Sequence, residues 1–113
     1  MNKDIRRIKD ILEAIDNINN FRKNKSFEEI LDNTMLKSAF TAQLIIIGEA
    51  TNNITATLKS KYLEVNWKEI VGLRNILVHE YFGIVWEIVW DTITEDLPKL
   101  QTTMKMILNK LTE

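Results

Sequence analysis

The chain has no cysteine, a single histidine, one proline and three glycines among its 113 residues. Each shortage excludes something. Without cysteine there is no disulfide and no thiolate metal site, which fits a reducing compartment. One histidine rules out a His-rich metal site within one chain. So little glycine and proline leaves scant turn chemistry for a many-stranded fold. Long apolar runs are missing too. The longest, Leu44 to Ile47, falls far short of a membrane span. The charged N-terminus, Met1 to Ile8, is not followed by an apolar stretch long enough for a signal peptide. A cytoplasmic protein with no membrane attachment is therefore expected. The net charge of −1 gives no global attraction to nucleic acid, so any RNA contact would need a local basic cluster.

What is present is enough for a core. Apolar residues make up 45% and charged residues 27%, the balance of a folded chain rather than a disordered one. The length fits one domain over residues 1–113.

Helical periodicity runs through the whole sequence. Ile5, Ile8, Ile11, Leu12, Ile15 and Ile18 recur at steps of three and four, which predicts an amphipathic helix from about Lys3 to Phe21. Ser26-Phe27-Glu28-Glu29 reads as a capping box opening a short helix, about Phe27 to Leu31. Asp32-Asn33-Thr34 offers the next N-cap. Leu36, Phe40, Leu44, Ile47, Ile54 and Leu58 then predict one long helix from Met35 to about Lys59, the longest in the chain.

The middle of that helix, Ile45 to Ala50, is apolar on nearly all sides and should lie deep in the bundle or in an interface. Glu49 stands there between Gly48 and Ala50, small residues that would let another backbone come close. A buried carboxylate without a partner is costly, so Glu49 is expected to face a groove or to pair with a basic side chain, as an ion pair or in a supporting role.

A polar connection follows from Lys59 to Val65. Asn66 then caps a helix running through Val71, Leu73, Leu77 and Val78 and ending near Tyr81 to Gly83. Ile84, Val85, Trp86, Ile88, Val89, Trp90, Ile93 and Leu97 form a densely apolar helix. Pro98 either starts a final helix near its first turn or kinks a continuous one. Four long helices and a short one make an all-α bundle, with no strand candidate.

Only the stretch Arg74 to Tyr81 carries a constellation of reactive groups. Asn75 and His79 are four apart and share a helix face. Arg74 and His79 are five apart, about 140° around the helix at roughly 100° per residue. The long arginine side chain can nevertheless sweep toward the imidazole. An imidazole titrating near neutrality and a guanidinium matched to phosphate are what RNA cleavage without a metal requires. A two-imidazole acid–base pair would need two chains.

Plainer roles fit the same residues. A histidine near a helix C-terminus is a favourable dipole partner, and spacing alone favours that role. Trp67, Trp86 and Trp90 read as core or interface before base-stacking platforms.

The stretch Arg74-Asn75-Ile76-Leu77-Val78-His79-Glu80-Tyr81 resembles the Arg-x4-His-x-Tyr signature of HepT-type toxins, a branch of the HEPN superfamily. Ile47 to Ala50, Trp67 to Leu73 and Trp86 to Leu100 fit as well, so the likeness covers nearly the whole chain. It implies a HEPN-type bundle of four to five helices forming a symmetric homodimer, with the two motifs in a shared cleft. It also implies a metal-independent endoribonuclease needing no cofactor, the toxin of a type II or type VII-like toxin–antitoxin module. By position, Arg74 and His79 match the catalytic pair, with Asn75 the polar residue beside the arginine. Tyr81 matches the tyrosine that a cognate nucleotidyltransferase antitoxin of the MntA type modifies with AMP. Glu49 would be a supporting residue. The near-neutral charge keeps a second reading open, a non-catalytic helical partner of a nucleotidyltransferase.

Overall fold

The computed structural model describes residues 2–79 and 83–113. All regular structure within them is helical: α1 Asn2–Arg22, α2 Phe27–Leu31, α3 Thr34–Asn52, α4 Ala56–Lys61, α5 Trp67–His79, α6 Trp86–Asp91 and α7 Leu97–Leu111. A π-helical turn, Thr92–Asp96, joins α6 to α7. The chain is an all-α bundle. Among the described residues no helix is long and apolar enough to cross a membrane.

The first helix buries the stripe that its periodicity announced: Ile8, Ile11, Ile15 and Ile18 are fully buried. Each such isoleucine contributes about 1.5–3 kcal/mol of burial free energy. Opposite them lie Phe40, Leu44 and Ile47 of α3 and Leu100, Met104 and Ile107 of α7. α3 is the central rod, packed on α1 along one side and on α5 along another, while α7 lies against α1. Asn17 donates to Gln43 at 3.1 Å across the α1–α3 seam, and Gln101 donates to Asp16 at 3.0 Å across the α1–α7 seam.

The capping box forms as expected. Ser26 Oγ accepts from the Glu29 N–H at 3.2 Å, and Glu29 accepts from the Ser26 N–H at 3.1 Å. The hydrogen bond from the Ser26 backbone, then that with its hydroxyl, holds the Glu29 carboxyl below its usual range.

One predicted helix is two. The periodicity carries a single rod from Met35 to about Lys59, but α3 stops at Asn52 and α4 begins at Ala56. It is also not the longest: α1 has 21 residues and α3 has 19. The break has a physical agent at each edge. The Asn53 amide side chain donates to the Glu49 carbonyl at 2.9 Å and closes off the end of α3. Thr55 then caps α4, its hydroxyl accepting from the Leu58 N–H. Asp4, buried at the start of α1, clamps that cap: it accepts from the Thr55 N–H at 2.9 Å and from the Thr55 hydroxyl at 2.6 Å. A carboxylate some fifty residues away thus decides where a helix starts.

Pro98 stands near the start of the final helix, the first of the two alternatives expected for it. It occupies the first turn of α7 directly after the π turn, where the Leu97 N–H reaches the Thr92 carbonyl. The wider turn accommodates a ring that would otherwise press on the carbonyl four residues back. Each tryptophan packs against the core cluster while remaining half-buried. Trp67 Nε1 donates to the Tyr62 carbonyl at 3.0 Å, and Trp90 stacks on Phe27 with ring centroids 5.7 Å apart.

Candidate active site

α5 carries the motif. Asn66 opens the helix, its side chain accepting from the Glu69 N–H at 3.2 Å. Half-buried Ile70 and Leu73 and fully buried Leu77 turn one side of α5 to the core. At roughly 100° per residue, Asn75 and His79 then point almost directly away from it. Both are exposed. The shared face expected for them exists, and it looks outward.

Arg74 lies on the flank of that face nearest α3, with its side chain only 18% exposed. Its Nε is 3.2 Å from Glu49 Oε1, so the ion pair expected of Glu49 is present. The contact is of charge more than of direction: Nε is buried, and its N–H is not aimed at the carboxylate. Glu49 itself is half exposed, although the helix around it is apolar. Ile47, Gly48 and Ala50 are buried, and Glu49 is exposed between them.

The backbone approach anticipated at Gly48 is made by α5. A Cβ built on Gly48 would stand 2.8 Å from Arg74 Cγ and closer still to Arg74 Cβ. Gly48 is a functional candidate that spacing alone did not single out. Its flag in the sequence was a glycine in the interior of a strongly apolar helix, where it weakens helix formation and calls for a packing reason.

The structure brings Arg74 together with Glu49 and sets Asn75 beside His79 on the outer face. Among the described residues no hydrogen bond or ion pair joins the two groups. Tyr81, the expected modification site, and the predicted end of the helix near it lie outside the described residues. Among the described residues, no three of His, Asp and Glu gather as a metal ion would require.

An open groove of about 610 Å³ runs along the other flank of α5, floored by Leu44, Leu73, Ile76, Ile88, Leu97 and Leu100. None of Arg74, Asn75 and His79 lines it, and Glu64, Glu69 and Asp96 stand on its rim against Lys99. A rim of that charge does not suit a phosphate backbone.

Comparison with known proteins supplies the context for this arrangement. A sequence family described as Ribonuclease HepT-like is matched over residues 11–107. The chain is 40% identical over 98 residues to MJ1380 of Methanocaldococcus jannaschii, provisionally named an RNase; the match covers 87% of this chain and 90% of that one. It is 43% identical over 88 residues to TTE0752 of Caldanaerobacter subterraneus subsp. tengcongensis, named in the same way, with 78% and 79% covered. It is 37% identical over 94 residues to a protein of Thermococcus cleftensis named "Probable ribonuclease HepT", with 83% and 86% covered. No solved structure matches the chain.

Proposed function

Because this chain belongs to the HepT-like ribonuclease family, we propose that it is the toxin of a toxin–antitoxin module, of type II or a type VII-like kind, cleaving RNA without a metal ion. The observation that carries the reading is the arrangement on α5: a guanidinium braced by Glu49 on one flank, with an amide and an imidazole free on the outer face.

In this reading His79 takes the proton of a ribose 2′-hydroxyl, and the freed oxygen attacks the adjacent phosphorus. The bond to the 5′-oxygen breaks, and that oxygen leaves with a proton from a second imidazole. The product is a 2′,3′-cyclic phosphate, which water can open to a 3′-phosphate. Arg74 stabilises the extra negative charge on the phosphorane-like transition state. Asn75, one helical turn before His79, orients the phosphate or the imidazole.

One imidazole per chain makes the second a contribution of a second copy, the motif helices of a symmetric homodimer meeting across a shared cleft. Ile76 and Val78, 48% and 46% exposed on either side of Asn75, supply apolar surface for such a contact. Regulation falls to Tyr81. Its phenolate would attack the α-phosphate of ATP in a nucleotidyltransferase antitoxin, releasing pyrophosphate and leaving AMP on the toxin. The added phosphate would compete with RNA for Arg74.

The test is cleavage of RNA by purified protein in EDTA. Wild type should leave 2′,3′-cyclic or 3′-phosphate ends, and His79→Ala should lose on the order of 10²–10⁴-fold in rate, the usual contribution of general acid–base catalysis. Cleavage that survives intact in His79→Ala assigns the activity elsewhere. For regulation, mass spectrometry after incubation with the antitoxin and ATP should show AMP on wild type and none on Tyr81→Phe. Equal modification of both removes Tyr81 from the scheme.

A further inference from the structure

We infer that Gly48 and Glu49 form a seat on α3 that aims Arg74, which makes both of them positioning residues. The inference rests on the ribonuclease reading for what Arg74 does, but not for where it sits.

Gly48 lies buried in the interior of α3, where glycine is the least helix-favouring residue after proline. Something must require it. A Cβ there would meet Arg74 Cγ at 2.8 Å and Arg74 Cα at 3.5 Å, with Arg74 Cβ nearer than either. Those atoms are the root of the side chain and the backbone that carries it. A change of rotamer can move Cγ but neither Cβ nor Cα, so any larger residue at 48 must push α5 away from α3. The other helical glycine near the motif, Gly72, behaves differently: a Cβ on it would meet nothing within 4 Å. The tight approach is therefore particular to the place where Arg74 crosses α3.

Glu49, the next residue, completes the seat. Its carboxylate stands 3.2 Å from Nε, the nitrogen nearest the stem. The closest approach of the pair is thus at the stem side of the guanidinium, not at its tip. That division matters chemically. A phosphate is gripped by the terminal N–H groups, while Glu49 meets the guanidinium at Nε through charge rather than through a hydrogen bond. Held at its root by Gly48 and at Nε by Glu49, the arginine presents its working edge in one direction. An unanchored arginine would lose side-chain freedom each time it engaged the transition state.

Glu49 also has a predictable cost. As a half-exposed anion beside the cation it weakens the attraction for RNA, screened by solvent. Its removal should therefore loosen catalysis without loosening binding.

The experiment compares wild type, Gly48→Ala and Glu49→Gln by steady-state cleavage of a mixed-sequence single-stranded RNA oligonucleotide. The Arg74 Nε–H resonance is followed in parallel by ¹⁵N NMR. A displacement of about 1 Å at a positioned group can cost on the order of 10²-fold in rate. Gly48→Ala should thus keep helical circular dichroism, lose on the order of 10²-fold in kcat with little change in KM, and shift the Nε–H signal. Glu49→Gln should lower kcat while KM stays level or falls, and its Nε–H should exchange faster with solvent. If Gly48→Ala does not fold, Glu49→Gln alone decides. Folded variants with wild-type kcat and an unchanged Nε–H signal overturn the inference. Should wild type itself fail to cleave RNA, the ribonuclease reading falls, yet the Nε–H comparison still decides the seat.

Discussion

The two flanks of α5 are built on opposite plans. On the side toward α3, Leu77 is buried, Arg74 is pressed against the bare backbone of Gly48, and Glu49 holds Nε. On the other side Asn75 and His79 stand in the open with Ile76 and Val78, and Gly72 has free space around it. Of the residues proposed to act on RNA, one is thus fixed by its own chain and two are left to whatever meets the outer face. A guanidinium gains from being immobilised in advance, because its task is to sit where charge develops. An imidazole that must exchange protons with substrate and solvent gains from access. In the proposed reading, the division puts stability on the inner flank and proton transfer on the outer one.

That contrast can be broken by thermodynamics. The largest effect is expected on the inner flank, where Leu77→Ala leaves a cavity between α5 and α3 and should cost about 2–5 kcal/mol in urea or thermal unfolding. A cost under about 1 kcal/mol would mean that α5 is loosely docked and that Arg74 is not rigidly presented. Gly72→Ala should come next and with the opposite sign. An alanine there adds helix propensity into open space, so unfolding of the isolated chain should become about 0.5–1 kcal/mol harder. A loss of stability instead, growing with protein concentration, would place a second copy directly over Gly72. The smallest effect belongs to His79→Ala, which should change stability by no more than about 0.5 kcal/mol while abolishing most of the cleavage. A destabilisation well beyond that would return His79 to the plainer role of a helix-end dipole partner.

The shared face of Asn75 and His79 was legible for a simple reason: spacing on one helix is a local property, and helical geometry converts spacing into faces. The pairing of Asn75 with His79 follows from four-residue steps, but the outward direction of both came from the structure, where Ile70 joins Leu73 and Leu77 at the core and Val78 stays exposed. The ion pair at Glu49 could be anticipated as a need but not as a partner, because nothing in the order of residues says which cation will be opposite. The degree to which Glu49 is exposed was not legible for a related reason. Apolar neighbours in sequence describe the helix as a whole, whereas a single position on it can still face an edge. Gly48 carried its signal as an unexplained interior glycine, and only the crossing of α5 gave it a cause.

What the sequence determined by itself was the helical character of the chain, the caps at Ser26, Asn33 and Asn66, and the stripe that α1 buries. All of these depend on residues within a turn or two of one another. The tertiary structure decided the rest. The split of the predicted Met35–Lys59 helix depends on Asp4 reaching Thr55 across the bundle. The wide turn before Pro98 is a local solution whose form the sequence left open between two alternatives. The aim of Arg74 depends on two helices meeting at a glycine. Contacts between residues far apart in the chain are chosen by packing, and periodicity, which reports only the faces of single helices, does not contain them.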